Sequence, residues 1–301
     1  MTSVLPGALA GRTADWFRAH ARDLPWRRPG TTPWGVLVSE FMLQQTPVAR
    51  VEPVWERWMA EWPTPSALAN ASRADVLRAW GKLGYPRRAM RLHAAAAAIA
   101  TEHGDRVPSD VDVLESLPGI GSYTARAVTA FGYGRRAPVV DTNVRRVVAR
   151  AVHGQGDAGP ARVKADLADV DALLPEEDAQ AALVSAAFME LGAVVCTART
   201  PRCTRCPLHT DCAWVAAGRP EYTGPRRPAQ GFAGTDRQVR GKLLDVLRAA
   251  SRPVEKPALD VVWSDGAQRD RCLDSLLIDG LAEQTPDGRF LLGGTAPNAE
   301  H

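Results

Sequence analysis

Hydrophobic and polar positions repeat with a helical period along most of this 301-residue chain. Alanine-rich amphipathic stretches are separated by short Pro/Gly breaks, and few alternating strand patterns occur before residue 280. Each clear stretch is followed by glycine or proline, as helix ends commonly are. The pattern therefore predicts a mainly α-helical protein. Examples of the predicted helical stretches are DWFRAHARDLPW (15–26), VARVEPVWERWMAEWP (48–63), SRADVLRAWGKLGY (72–85) and AMRLHAAAAAIATEHG (89–104).

The pattern changes near the C-terminus. The segment RPEYTGPRRPAQGFAGTDR (219–237) is rich in Pro, Gly and Arg and predicts a linker, which we place at 226–236. The remainder, 237–301, begins with an amphipathic helix, and AQRDRCLDSLLIDGLAEQTPDGRFLLGG then predicts a helix, a strand, a Pro-Asp-Gly turn and a second strand. Helices followed by a two-stranded wing resemble a winged-helix module. A helical packing domain with one hairpin fits the same pattern.

Charge and apolar content narrow the class of protein. The formal net charge is +3, and arginine, which pairs well with phosphate, recurs near helix ends and turns. No apolar run approaches the length of a membrane span, so we expect no membrane partner. The N-terminus shows no basic start followed by an apolar stretch, so we expect a cytoplasmic protein rather than a secreted one.

One isolated carboxylate stands out in the apolar segment VLVSEFMLQQ (36–45). Burying Glu40 there is costly unless another group pairs with it or its pKa shifts. A partly exposed helix glutamate or one member of a core salt bridge would explain it. From this segment alone either of these structural explanations is favoured, and a catalytic acid in an apolar setting is the alternative.

The segment SDVDVLESLPGIGSYTARAVTAFGYG (109–134) carries a second candidate function. Ser109 and Asp112 predict a capping box for a short helix, LPGIG interrupts it, and a second helix is expected from Ser122. Gly119 and Gly121 permit a tight turn with bare amides at a helix N-terminus, which can bind a phosphate without reading sequence. The motif resembles a helix-hairpin-helix, and the alternative is an ordinary corner between two helices.

A third candidate is the segment APVVDTNVRRVVARAVHG (137–154). Asp141 precedes a predicted helix and is suited to be its N-cap. A carboxylate held at that position could also face a nucleotide sugar, with Asn143 in reach of the same place.

Four of the five cysteines crowd together. Cys196, Cys203, Cys206 and Cys212 have the spacing Cys-x6-Cys-x2-Cys-x5-Cys. In a cytoplasmic protein such a group favours a metal site over disulfides. The spacing favours a [4Fe–4S] cluster, and a structural zinc ion is the alternative. Three arginines at 199, 202 and 205 would give this loop positive charge, and Cys272, in an apolar helical pattern, is interpreted as a core residue.

These motifs, in this order, resemble the endonuclease III superfamily of DNA glycosylases over about Thr13 to Pro225. The resemblance implies a six-helix domain with the helix-hairpin-helix at 25–134. It also implies a helical iron–sulfur domain formed by 1–24 plus 135–225, with the N-terminal helix folded back onto it. The two would flank a DNA-binding groove, and the winged-helix-like module at 237–301 would follow.

Three shorter motifs resemble the MutY-type adenine glycosylases within that superfamily. They are LPWR (24–27), SEFMLQQT (39–46) and LGY (83–85). Bifunctional members carry a lysine after the hairpin that attacks the sugar and leads to strand cleavage, whereas Tyr123 occupies that position here. The resemblance therefore implies a glycosylase with little or no lyase activity.

The same resemblance implies functions for individual residues. Glu40 would protonate N7 of an extruded adenine and then activate water, while Asp141 would stabilise an oxocarbenium-like sugar. Asn143 and Tyr123 would orient the sugar, the water and Asp141. The remaining implied contacts are Gln45 and Tyr85 wedged into the duplex at the opposite base, and Trp26 and Arg27 lining the adenine pocket.

Departures from the MutY-type pattern limit what is implied. Ala186 stands where many relatives carry a Glu or Gln that contacts adenine, and Pro86 replaces a second aromatic. Many relatives also carry a Nudix-like domain that checks for 8-oxoguanine, and the roughly 75 residues after Pro225 do not show that pattern.

The expected partner is double-stranded DNA containing a mismatch or an oxidised base, bound by a monomer associated with the nucleoid. A thymine or uracil mismatch glycosylase is the alternative enzyme, and a non-catalytic iron–sulfur DNA-binding regulator is the alternative of another class.

Overall fold

The computed structural model describes residues 6–225 and 231–294 and is mainly helical. Its fifteen α-helices over these residues are α1 Pro6–His20, α2 Pro33–Leu43, α3 Val48–Glu61, α4 Pro65–Ala69, α5 Arg73–Trp80, α6 Arg87–Glu102, α7 Val111–Ser116, α8 Ser122–Ala127, α9 Thr142–Ala151, α10 Val163–Asp171, α11 Asp178–Val194, α12 Ala213–Ala216, α13 Asp236–Ala249, α14 Lys256–Asp260 and α15 Gly266–Ile278. The two strands are β1 Ala282–Gln284 and β2 Phe290–Leu292. The predicted mainly α fold class is confirmed.

The described residues divide into two compact units. Of the described residues, the first unit contains 6–37, 108–116 and 120–225, and the second contains 38–107, 117–119 and 231–294. The boundaries that we expect for the six-helix and iron–sulfur domains stay a prediction. Residues 226–230 of the predicted linker and 295–301 of the predicted module lie outside the described residues.

The first unit is built around α9 and α11. Buried aliphatic side chains of both helices pack with Leu9, Ala10 and Ala14 of α1 and with Leu208 of the cysteine loop. From the middle of α1, Arg12 donates to Thr210 (2.9 Å) and pairs with Asp211. The N-terminal helix is therefore packed against the segment that carries the cysteines. It ends at His20 rather than at Trp26, because Pro25 holds Leu24 in an extended conformation.

The second unit contains a core of large aromatic side chains. Trp58 packs edge-on against Trp62 and Trp80, with ring centroids 4.8 and 5.5 Å apart. The N-cap Ser72 accepts a hydrogen bond from the backbone N–H of Asp75, which starts α5 where the polar pattern predicted a helix. Because α5 buries Ala74 and Leu77 completely, it also offers an apolar surface to the C-terminal residues of the same unit.

Those C-terminal residues form the predicted winged-helix arrangement. The order is α13, an isolated antiparallel bridge between Val254 and Phe290, α14, α15 and the hairpin of β1 and β2. Ala282 pairs with Leu292 and Gln284 with Phe290, so the Pro-Asp-Gly turn closes the wing as expected. Cys272 is 1% exposed, which confirms it as a core residue.

Two further observations complete the fold. The short helix α7 is capped by Asp110, which accepts hydrogen bonds from the N–H groups of Asp112 and Val113, so the predicted capping box from Ser109 is wrong. Ser109 instead accepts a hydrogen bond from Arg135 (2.8 Å). Across residues 6–225 and 231–294, no helix combines the length and apolar character needed to cross a membrane.

Candidate active site

Glu40 lies three residues before the end of α2 and is 5% exposed. Its chain neighbours Ser39, Phe41 and Met42 are at most 1% exposed, so this turn of α2 is buried within the second unit. The catalytic function expected of Glu40 stays a prediction.

A second buried glutamate, Glu190, has a different environment that sequence reasoning missed. Its side chain is fully buried in α11 and accepts hydrogen bonds from Arg22 (2.6 and 2.9 Å) and Arg27 (2.9 Å). Burial opposes ionisation, but the hydrogen bonds and charges of the two arginines outweigh it and hold the pKa of Glu190 below its ordinary value. Glu190 is thus an ionised anchor inside the first unit. The only indication of Glu190 in the sequence was that it is the single acidic residue of the apolar segment 181–195.

The ion pair with Glu190 fixes the position of the Arg27 side chain. Arg27 ends a short 3-10 turn, Pro25–Arg27, and its guanidinium also lies 5.3 Å from the ring centroid of Phe17. Trp26 in the same turn is 7% exposed. Both residues are therefore held by contacts within the first unit.

Asp141 is the N-cap of α9, as expected. One carboxylate oxygen accepts hydrogen bonds from the N–H groups of Asn143 (2.8 Å) and Val144 (2.7 Å), and the other accepts one from Nδ2 of Asn143 (2.7 Å). Burial raises the pKa of Asp141, and these hydrogen bonds and the charge of Arg146 offset only part of that effect. The structure therefore brings Asp141 and Asn143 together with their polar groups fixed.

Arg146 extends this network toward the cysteines and was not assigned a function from the sequence. Its Nη2 donates to Oδ1 of Asn143 (2.8 Å) and to the main-chain oxygen of Gly192 (2.7 Å), and its Nε donates to the main-chain oxygen of Cys196 (2.7 Å). Gly192 is needed at this point, because a Cβ there would lie 2.7 Å from Cβ of Asn143. The only sequence signal was the arginine pair in VDTNVRR.

Tyr123 is the second residue of α8, the second helix of the hairpin. Its hydroxyl contacts Sδ of Met189 at 3.9 Å, and its ring packs beside a small cluster that includes Ala127 and Val139. The position is partly buried in the first unit. No amine therefore occupies the place where a bifunctional enzyme would carry lysine.

The hairpin turn has the backbone that the glycines predicted. Gly119 has a φ of +75° and its α-carbon lies so near α6 that an added Cβ would be 2.6 Å from Cβ of Arg91. Gly121 is the extended N-cap of α8, so the amides at the start of that helix are not covered by a side-chain cap. An ion pair between Arg126 and Glu115 (2.7 Å) ties α8 to α7.

Gln45 and Tyr85 share an unusual backbone conformation in the second unit. Their φ angles are +57° and +48°, a left-handed region that residues other than glycine rarely occupy and that is often found at functional sites. Both side chains are exposed. Their predicted insertion into the duplex stays a prediction.

Arg88 holds these two strained segments in place, and sequence reasoning missed it. It is 6% exposed, and its burial lowers its pKa to about 10. Its guanidinium lies 5.6 Å from the ring centroid of Tyr85. Its hydrogen-bond acceptors are the main-chain oxygens of Phe41, Met42, Gln44, Leu83 and Gly84 and the hydroxyl of Thr46.

The four cysteines of the loop are free thiols in one neighbourhood. Burial raises the pKa of Cys206 to about 12, and the other three thiols each add to that rise, so all four lie close enough to interact electrostatically. Arg150 donates to Sγ of Cys196 (3.4 Å) and to the main-chain oxygen of Thr197 (2.8 Å). Four soft sulfur donors on one loop fit an iron–sulfur cluster. Over the described residues, no group of three or more His, Cys, Asp or Glu side chains is already arranged around a single metal position.

Three exposed arginines, Arg199, Arg202 and Arg205, lie between the cysteines along the chain. The N–H of Arg202 donates to the main-chain oxygen of Val195 (2.9 Å), which closes the loop at its base. The loop therefore presents positive charge to solvent from a fixed backbone.

Comparisons with known proteins agree with these observations. The family described as "HhH-GPD superfamily base excision DNA repair protein" matches residues 38–170. The adenine DNA glycosylase of Mycobacterium tuberculosis (strain CDC 1551 / Oshkosh) is 64% identical over 280 residues, which cover 93% of this chain and 91% of that protein. The protein of the same name from Mycolicibacterium smegmatis is 65% identical, and the match covers 94% of that protein. The human adenine DNA glycosylase is 38% identical over 68% of this chain and 39% of its own length.

Solved structures show the same fold. A thermostable thymine-DNA glycosylase superposes with a TM-score of 0.63 at 22% identity, covering 70% of this chain and 97% of that one. Endonuclease III in a non-covalent DNA complex superposes with a TM-score of 0.58 at 23% identity, covering 69% and 94%. The chain thus has an endonuclease III-like fold.

Proposed function

Since this chain belongs to the adenine DNA glycosylases of the HhH-GPD superfamily of base excision DNA repair proteins, we propose that it hydrolyses adenine from double-stranded DNA. The substrate is adenine mispaired with 8-oxoguanine or guanine. The observation that carries this proposal is the 64% identity over 93% of the chain to a relative named for this activity.

Glu40 acts as the general acid and base. The adenine must first leave the helical stack, because its glycosidic bond is not accessible inside a duplex. Glu40 gives its proton to N7, and the bond between N9 and C1′ breaks with its electron pair going to the base. The carboxylate then takes a proton from the water that attacks C1′. Its burial supports this function, because a general acid must be held in a fixed position next to the base that it protonates.

Asp141 stabilises the positive charge that develops on the sugar. Two backbone N–H groups and Nδ2 of Asn143 fix both carboxylate oxygens, so no reorganisation is needed when the charge appears. Asn143 and Tyr123 orient the sugar and the water. Because Tyr123 replaces the lysine of bifunctional relatives, cleavage of the strand is not expected.

The remaining predicted contacts bind the DNA. The amides after Gly119 and Gly121 bind backbone phosphate, and Gln45 and Tyr85 enter the duplex where the base has left. Trp26 and Arg27 form a rigid wall of the adenine pocket, supported by the ion pair of Arg27 with Glu190. With Ala186 at a usual contact position, adenine must be read by other groups.

Cys196, Cys203, Cys206 and Cys212 hold a [4Fe–4S] cluster, which when bound stabilises the fold of the cysteine loop. The arginines of the cysteine loop, Arg199, Arg202 and Arg205, then face the DNA backbone. A brown purified protein that absorbs near 400 nm and contains about four irons per chain would support this cofactor. A colourless protein with one bound zinc ion would refute it.

One panel of duplexes tests the activity. Base release is measured from A:8-oxoG, A:G, T:G and U:G duplexes, and release from the two adenine duplexes is expected. The second candidate is thymine or uracil removal, favoured by a thymine-DNA glycosylase of Aeropyrum pernix that is 31% identical and covered to 94%. Processing of T:G alone would overturn the adenine proposal. A regulator without chemistry would release no base from any duplex.

A further inference from the structure

Arg150, near the end of α9, is a buried arginine whose side chain contacts a cysteine sulfur directly. The residue is 4% exposed. Its Nη1 donates to Sγ of Cys196 (3.4 Å) and to the main-chain oxygen of Thr197 (2.8 Å). Its Nη2 donates to the main-chain oxygen of Ala198 (3.1 Å), and its Nε donates to that of Gly156 (2.9 Å). Because the three oxygen acceptors are neutral, these hydrogen bonds fix the guanidinium without neutralising its charge.

The ring of Trp214 covers this guanidinium. The ring centroid lies 4.7 Å from Cζ of Arg150, and the indole is fixed by a hydrogen bond from its Nε1 to the main-chain oxygen of Pro220 (2.9 Å). On the other side, Sγ of Cys212 lies 3.5 Å from the main-chain oxygen of Arg150. Arg150 therefore lies beside two of the four cysteines, and an aromatic ring occupies one face of its charged group.

The other arginines near the cysteines are placed differently. Arg199, Arg202 and Arg205 are exposed, so water and salt screen their charges. Arg146, one turn earlier in α9, donates to the main-chain oxygen of Cys196. Arg150 instead places a positive charge in the protein interior, where the effective dielectric constant is low, at hydrogen-bond distance from a sulfur atom.

We propose that Arg150 raises the reduction potential of the [4Fe–4S] cluster by acting through the sulfur of Cys196. This inference rests on the proposed cofactor and deepens it. Hydrogen bonds to the sulfur ligands and nearby charge are among the properties that set the potential of an iron–sulfur cluster. A cationic N–H donor beside a thiolate favours the state of the cluster that carries more negative charge, which is the reduced state. With Arg150 in place, an electron is therefore harder to remove from the cluster.

A purely structural function would not require the contact to sulfur. The three main-chain hydrogen bonds of Arg150 would by themselves hold residues 156, 197 and 198 together. Such a support affects how much cluster the protein retains, but it leaves the potential of the retained cluster unchanged. The potential therefore distinguishes the two functions, whereas iron content alone does not.

The test compares Arg150→Met and Arg150→Lys with the wild type. Protein-film voltammetry measures the midpoint potential of the protein that carries iron, and iron per chain is measured beside it. We expect Arg150→Met to lower the midpoint potential by about 60 mV, which for one electron is a tenfold change in the ratio of reduced to oxidised cluster. Arg150→Lys keeps a positive charge without the planar fork of donors, so it should lower the potential by a smaller amount.

Arg145→Met is the matched control. Arg145 lies in the same helix, pairs with Asp166 (2.7 Å) and, like Arg150, donates to three main-chain oxygens, which are those of residues 158–160. We expect this variant to lose stability in denaturant unfolding but to keep the potential of the wild type. Circular dichroism establishes that each variant is folded.

Two outcomes would overturn the inference. One is a wild-type potential in Arg150→Met, whatever its iron content, and the other is an equal shift in Arg145→Met. If Arg150→Met retains no cluster, Arg150→Lys decides the question, and a wild-type potential in that variant is then the contrary result. Failure of the proposed cofactor appears differently, because the wild type itself then contains no iron. Neither measurement depends on base release.

Discussion

Nε of Arg146 donates a 2.7 Å hydrogen bond to the main-chain oxygen of Cys196, the first cysteine of the loop. The same guanidinium reaches Asn143, which in turn holds the carboxylate of Asp141. One buried side chain therefore connects the proposed sugar-stabilising carboxylate to the proposed cluster ligand within the first unit.

The first prediction concerns this connection. In Arg146→Met the aliphatic length is kept, but three acceptors lose a donor in an interior where unmade hydrogen bonds are costly. We expect a loss of about 3 kcal/mol in the free energy of unfolding, less iron per chain and slower base release. Denaturant titration, absorbance near 400 nm and single-turnover kinetics measure these effects. Arg18→Met is the control, because its exposed pair with Asp15 should contribute less than about 1 kcal/mol. Unchanged iron content in Arg146→Met would contradict the prediction.

The second prediction separates the two buried glutamates. Glu40→Gln should lower the rate of base release by at least about 100-fold, because it removes a general acid, while DNA binding persists. Glu190→Gln should instead destabilise the protein by about 3 kcal/mol, because Arg22 and Arg27 would lose their buried anion. Denaturant unfolding and base release are measured on both variants. The assignment fails if Glu40→Gln stays active or if Glu190→Gln is as stable as the wild type.

The third prediction concerns pH. Burial raises the pKa of Asp141 above its ordinary value of 3.8. The folded state therefore favours its protonated form, and the resulting stability is present below that value and lost as the pH rises through the folded pKa. Asp141→Asn removes this dependence. The difference in unfolding free energy, wild type minus variant, should fall as the pH is raised from about 3 through the folded pKa. Base release should be almost abolished in the variant, although Oδ1 can still cap α9.

A difference that rises with pH over that range would show that the hydrogen bonds of Asp141 outweigh its burial. Glu190 behaves in the opposite sense. Its pKa lies below its ordinary 4.5, so its contribution is present above that value and lost as the pH falls. Measuring Glu190→Gln over the same pH range is therefore an internal check of the sign.

The fourth prediction concerns strand cleavage. Tyr123→Lys places an amine where bifunctional relatives carry one, and we expect it to add strand nicking and an adduct that borohydride traps, by Schiff-base chemistry at C1′. Tyr123→Phe lacks an amine and is the matched control, with neither nicking nor trapping. Gel electrophoresis of the borohydride-treated mixture detects the adduct. Absence of any adduct with Tyr123→Lys would place residue 123 away from the sugar.

Local patterns predicted much of this molecule. The helical period and the Pro/Gly breaks predicted most of the helices, and the segment after the linker predicted α13, α15 and the hairpin in their order, but not α14 or the bridge between Val254 and Phe290. The N-cap position of Asp141 and the burial of Cys272 were also predicted, because each depends on residues within a few turns of the chain. The cap of α7 was predicted one residue too early, since Ser109 and Asp110 are both suitable N-caps and only the backbone distinguishes them.

The sequence by itself determined which segments are helical, where the cysteines gather and which isolated acids stand in apolar segments. Glu40 and Glu190 are both isolated acids in apolar segments of the sequence. Only the tertiary structure decided that Glu190 pairs with Arg27 and Arg22, which lie 163 and 168 positions away along the chain. The contact of Arg237 with Tyr85, 152 positions apart, was likewise decided by the packing of the module on α5. The physical reason is that hydrophobic period and capping act over a few residues, whereas the pairing of buried charges depends on which surfaces meet when the chain folds.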